Sequence, residues 1–178
     1  MNLLPGVTGE GPLTVLNGRS YRQRLVRRWD EAAPARTILW IGMNPSTADA
    51  ERDDRTCRRE QCISRRFNFN HYLKGNILDL METHSRNIPR DIGLARSGQN
   101  LDAIRQMCQE ADWIVLAHGD LPMVFRQVVC QTYAIVRDSG RPISVFQYNR
   151  NERQIPTHTI RIMNENIPEY LEAVRRDI

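Results

Sequence analysis

The run Gly42-Met43-Asn44-Pro45-Ser46-Thr47-Ala48-Asp49 concentrates groups suited to binding and orienting a ligand. Asn44 offers a carbonyl that can hold a water and an amide that can hold a substrate. Ser46, Thr47 and the backbone N–H groups around Ala48 suit an anion. Met43 and Pro45 would shape the same loop around a substrate. The same residue types also make a stable turn. Asp49, Glu51, Asp53 and Asp54 follow. They can supply a general base or a magnesium site, or cap the next helix and complement its dipole. One of Asp53 and Asp54 fits the cap. The other stays open for chemistry, and Asp53 is the candidate base. Arg55, Arg58, Arg59, Arg65 and Arg66 then line that helix, either as a solvated face or as phosphate contacts. His71, His84, His118 and His158 show no zinc-ligand spacing, and the four cysteines make no Cys-x-x-Cys pair, so no metal and no cofactor is expected. Neither a Gly-x-Gly-x-x-Gly nor a Gly-Lys-Ser/Thr pattern is present, which argues against ordinary dinucleotide or nucleoside-triphosphate sites.

The elements that must position these residues alternate. Leu13–Leu16 and Tyr21–Trp29 flank Asn17-Gly18 and predict a hairpin. In its second strand Arg22, Arg24 and Arg28 share one face, a candidate surface for nucleic-acid phosphates. Thr37–Gly42 is a continuous apolar run, read as a strand buried on both faces. A helix is expected from Asp53 or Asp54 to about Phe67 and a strand over Tyr72–Leu78. A helix lies within Asp91–Glu110, a strand at Trp113–Ala117, and a helix from Pro122 to about Asp138. A fourth strand is expected at Ile143–Phe146 and a terminal helix over Pro168–Asp177. This order predicts one α/β domain over residues 1–178, with a hairpin at 12–29 and a sheet-and-helix core at 37–178. The fold class is three-layer α/β/α with a mostly parallel sheet of about four strands. Ligands of such sheets bind beyond the carboxyl ends of the strands. That rule selects the loops bearing Asn44, Asn76, His118 and His158, which are expected to converge on one cleft.

Tyr21-Arg22-Gln23-Arg24-Leu25, Arg27-Arg28-Trp29, the Met43–Asp49 stretch, Asp53-Asp54 with Thr56, Arg58 and Arg59, then Asn76, Asn100, His118-Gly119 and Pro156-Thr157-His158 occur in order. Together they resemble a bacterial and phage family, domain-of-unknown-function family 1643. That family is itself similar to the uracil-DNA glycosylase superfamily, which implies a uracil-DNA-glycosylase-like fold. The second resemblance implies that Asn44 positions the attacking group and Asn76 reads a pyrimidine edge. His158 would stabilise the departing base, although Thr159 stands where proline is expected.

Several functions remain open. One is an enzyme acting on a pyrimidine in DNA, either flipped from a duplex or in a single strand. It would substitute on the base, as in phage thymine hypermodification with a small amine or amino-acid co-substrate, or hydrolyse the N-glycosidic bond. Others are a non-catalytic nucleic-acid-binding module and an enzyme on a free nucleotide. The net charge of +4, carried almost wholly by arginine, is compatible with nucleic acid without requiring it. No apolar run approaches the roughly 20 residues needed to cross a bilayer. The start of the chain has no signal-peptide pattern, and because a chain this long does not need the disulfides its four cysteines could form, a reducing cytoplasm is expected.

Overall fold

A computed structural model describes residues 1–149 and 155–173. The sheet is built around β5, Thr37–Gly42, in which every residue is buried. On one side of it lies β6, His71–Asn76, and on the other β7, Trp113–Leu116, followed by β8, Ile143–Ser144. All these neighbours are parallel. Two antiparallel strands extend the β6 edge: β4, Leu25–Arg28, pairs with β6, and β1, Thr8–Glu10, pairs with β4. The result is a mostly parallel six-stranded sheet in the order β1-β4-β6-β5-β7-β8.

Strand alternation sends Ile38, Trp40, Tyr72 and Val115 to one face, against the helix α1, Arg55–Arg66, and the later residues Ile162 and Ile167. Leu39, Ile41, Leu73, Ile114 and Leu116 face the other way. There they meet α3, Asn100–Glu110, and α4, Arg126–Asp138. Helices therefore cover both faces. The chain leaves β5 toward β6 and leaves β7 toward β8 in the opposite direction, so the loops after β5 and β7 diverge and open a crevice between them.

The N-terminal hairpin is shorter than expected. Asn17 and Gly18 both have positive φ, as the tight turn requires, and join β2, Thr14–Leu16, to β3, Arg19–Tyr21. The chain then breaks away. Arg22 N–H donates to the Asp79 carbonyl at 2.9 Å, and Gln23 donates to the Asp79 carboxylate at 2.8 Å. Residues 21–29 thus form two strands instead of one, and the expected basic face does not exist. Arg22 is buried, while Arg24 and Arg28 bond to Glu110 and Glu10 at 2.5 Å each.

The Asp91–Glu110 segment also divides, into the single turn α2, Ile92–Ala95, and α3. The bond from Ser97 N–H to Asp79 at 2.7 Å turns the backbone between them. Residues 168–173 of the expected terminal helix are not helical. They lie along the sheet edge, where Ser144 donates to the Glu172 carbonyl at 2.6 Å. Residues 174–177 of that expectation lie outside the described residues.

Candidate active site

The loop after β5 is stapled by two buried arginines, Arg27 from behind and Arg22 from the cleft side. Arg27 donates to the carbonyls of Asp49 and Arg52 at 2.6 and 3.1 Å. Its Nε meets Asp53 Oδ1 at 3.0 Å, and the other Asp53 oxygen accepts from Gln61 at 3.0 Å. Arg22 donates to the Ala48 carbonyl. In front, backbone bonds join this loop to the loop after β6: Leu78 N–H to Met43 O at 2.9 Å and Glu82 N–H to Pro45 O at 3.0 Å. Asp54 caps α1 by accepting from Cys57 N–H at 2.8 Å. Asp53 is therefore the partner of Arg27 and does not line the cleft. Its burial beside a guanidinium removes it from the role of solvent-facing base expected from sequence.

The crevice between the loops is a cleft of about 470 Å³. Met43, Asn44, Pro45 and Ser46 form one wall, Asn76 and Lys74 the floor, and His158 with Gly119 the opposite wall. Thr47 is exposed outside it. The Asn44 amide nitrogen donates to the carbonyls of Pro45 and Glu82 at 2.9 and 2.7 Å. Both partners are acceptors, so the nitrogen must face them and Oδ1 is left as the acceptor on the other side.

Asn76 ends β6 and is 1 % exposed. Neither its amide nitrogen nor its amide oxygen has a hydrogen-bond partner among the described residues. Gly42 makes the space for it, since a Cβ there would lie 2.7 Å from both Asn76 Oδ1 and Lys74 Nζ. Asn100 fixes the backbone beneath by donating to the Asn76 and Ile77 carbonyls at 3.1 Å each.

His158 approaches the cleft because Gly119, at φ +73°, has no side chain to hold it off; a Cβ there would be 3.1 Å from His158 Cβ. The imidazole Nδ1 accepts from Ile160 N–H at 3.4 Å, which leaves the proton of the neutral ring on Nε2. Burial, reinforced by the nearby Lys74 charge, lowers the pKa of His158 and favours that neutral form.

His118 does not join the cleft. Its Nδ1 lies 2.6 Å from the Gly119 carbonyl and its Nε2 2.6 Å from Tyr133 Oη, which turns the ring toward α4 and a separate depression. Burial pulls its pKa down to about 4. The expected convergence thus holds for Asn44, Asn76 and His158 and fails for His118. The helix arginines are likewise engaged: Arg58 donates to the Asn2 carbonyl, and Arg59 to the Ile162 carbonyl at 2.6 Å.

A family model described as Protein of unknown function (DUF1643) matches residues 22–159. The chain belongs to the DUF1643 family. No curated protein and no solved structure gave a significant match. The matched DUF1643 segment begins at Arg22 and ends one residue beyond His158, so it spans the cleft from one wall to the other.

The floor also contains a pair that the sequence reading missed. Lys74, the only lysine in the chain, lies 2.6 Å from Glu60 Oε1. Glu60 is fully buried on α1 and also accepts from Tyr72 Oη and Thr159 Oγ1, each at 2.6 Å. It therefore ties the β6 floor to the segment carrying His158. The available signal was the lone lysine in a strand. Glu60 was masked because the sheet-facing stripe of α1, Cys57, Glu60, Gln61 and Ser64, is polar at helical spacing and looks like a solvent face.

Proposed function

We propose that the cleft takes a pyrimidine base of DNA, flipped or single-stranded, and acts on it. The observation that carries this reading is the Asn76 amide, a donor and an acceptor side by side, buried and without partners among the described residues. Burying such a group unsatisfied costs about 1–3 kcal/mol per hydrogen-bonding function, so the site is organised around something that supplies the complement. The O4 and N3–H of thymine or uracil do so: the amide nitrogen donates to the former and the amide oxygen accepts from the latter. A base inside a duplex cannot reach a cleft of this depth, so extrusion or a single strand is required.

Around a base held this way, Asn44 Oδ1 orients the incoming nucleophile and the His158 Nε2–H donates to charge developing on the base. The reaction we favour is substitution at an activated 5-methyl carbon. An amine nitrogen forms the new C–N bond as the C–O bond to a departing phosphate breaks, and the nitrogen then loses its proton to water. Hydrolysis of the N-glycosidic bond is the second reading, favoured by the placing of Asn44 after β5, Asn76 at the end of β6 and His158 after β8, all parallel strands of one sheet.

Backbone phosphates fall to rim arginines other than those expected from sequence. Arg161 lines the cleft, Arg55 lines the adjoining depression, and both are exposed without an ion pair among the described residues. The test is nucleoside mass spectrometry after incubation with DNA carrying thymine, uracil, 5-hydroxymethyluracil or its phosphate ester, with and without amines. A new nucleoside or a released base is expected. In Asn44→Ala the rate should drop on the order of 10²–10³-fold with the fold intact. Unaltered turnover in that variant removes Asn44 from the mechanism.

A further inference from the structure

Three arginine or lysine side chains are buried among the described residues: Arg22, Arg27 and Lys74. Arg27 has the buried carboxylate of Asp53, and Lys74 has that of Glu60. Arg22, 2 % exposed, has no carboxylate within ion-pair distance among the described residues. Among the described residues its one side-chain hydrogen bond goes to the Ala48 carbonyl, and its Nε has no partner. A guanidinium carries five N–H donors and stays charged, so this is an unneutralised buried cation with donors to spare. Unlike Arg27, it lines the cleft.

The first turn of α1 adjoins it. Asp54, Thr56 and Cys57 line the same cleft, and that turn contains no acidic residue beyond the cap. The Arg22 charge reaches this turn. Burial drives the Cys57 thiol pKa upward, with Asp54 and Glu60 adding to the rise and Lys74 and Arg22 opposing it. The backbone dipoles of a helix start favour negative charge at this place.

We propose that Arg22, with the first turn of α1, forms an anion subsite in the cleft that takes a phosphate group of the ligand. The subsite lies beside the Asn76 floor and so deepens the base-binding reading, on which its position relative to a pyrimidine rests. The phosphate comes either from the backbone of the bound nucleotide or from a terminal phosphoryl group on it. The guanidinium supplies a paired set of N–H donors to two phosphate oxygens, a geometry a lysine cannot reproduce. This accounts for a buried arginine that no carboxylate of the described residues neutralises.

The experiment is a calorimetric titration of inorganic phosphate, thymidine, thymidine 5′-monophosphate and a single-stranded thymine oligonucleotide. The proteins are wild type, Arg22→Gln, Arg22→Lys and Asn76→Ala. In wild type the phosphate should raise affinity over thymidine by about 10–100-fold. Arg22→Gln should lose that gain and keep its thymidine affinity, and Arg22→Lys should retain part of it. Asn76→Ala should lose thymidine affinity and keep phosphate binding. Arg22 dependence with the monophosphate identifies a terminal group, and dependence confined to the oligonucleotide identifies a backbone phosphate. The proposal is overturned if wild type gains nothing from the phosphate in either form, a result that needs no variant to fold. It is also overturned if the gain survives in Arg22→Gln. Phosphate binding without any thymidine binding would leave the subsite standing and remove the base reading.

Discussion

Two buried polar clusters lie on either side of the loop that follows β5, and they differ in one respect. Behind the loop, Arg27 and Asp53 satisfy each other, and the Gln61 amide nitrogen and the Asp49 and Arg52 carbonyls complete the set, leaving only Gln61 Oε1 unmatched. In front of it, Asn76 and Arg22 are as deeply buried yet keep donors or acceptors unmatched. A protein interior that leaves polar groups unpaired gives up stability there, and on the proposed function the unpaired groups that line the cleft are where a ligand completes the structure. The rear cluster holds the loop in place. On the proposed function, the front cluster is what it is held in place for.

Replacement of Asp53 tests the rear cluster most strongly. Asp53→Asn leaves Arg27 buried without a counter-charge and should destabilise the protein by about 3–5 kcal/mol in urea unfolding. A variant that keeps full stability while losing all turnover would contradict this and return Asp53 to the chemistry. His118 comes next. It is neutral in the fold, with a pKa near 4 against an ordinary 6.5. The unfolded chain therefore takes up the proton first. Its contribution is present above the unfolded value and is lost as pH falls from about 6.5 toward 4, up to about 3 kcal/mol in all. His118→Gln should flatten the stability–pH curve in that window. An unchanged curve would show that another group titrates there; His71, also lowered by burial, is the natural one.

The surface arginines give the smallest effects. Arg24 and Arg28 sit in partly exposed ion pairs worth less than about 1 kcal/mol each. Neutralising both should leave the salt dependence of DNA binding unchanged. Removing Arg55 and Arg161 should flatten the slope of log affinity against log salt by roughly 0.7–0.9 per lost contact. The opposite pattern would move the DNA track to the hairpin side.

Much of this architecture was legible in the chain. The uninterrupted apolar run of β5 announced a strand covered on both faces, and glycine at its end announced the turn into the cleft. Asn44, Asn76 and His158 could be placed because each follows or ends a strand element, and topology alone brings such loops to one edge. His118 obeyed the same rule and still turned away, since Tyr133 on α4 and the Gly119 carbonyl captured its two ring nitrogens. Arg22 and Arg24 were indistinguishable by type and by strand alternation. Only the departure of the chain from the hairpin at Arg22 separates a buried cleft arginine from a surface one. Glu60 and Lys74, 14 residues apart, meet across a helix–sheet contact, where no local pattern reports the pairing.

The central claim is that Asn76 is held unsatisfied for a base. The measurement is the unfolding free energy of Asn76→Ala together with its affinity for a thymine oligonucleotide, both relative to wild type. The amide has no hydrogen-bond partner among the described residues, so its removal should leave the protein as stable as wild type or more so, by up to about 1–3 kcal/mol per relieved hydrogen-bonding function, while oligonucleotide affinity falls at least about tenfold. A large loss of stability with base binding retained would contradict it and assign Asn76 to the fold alone.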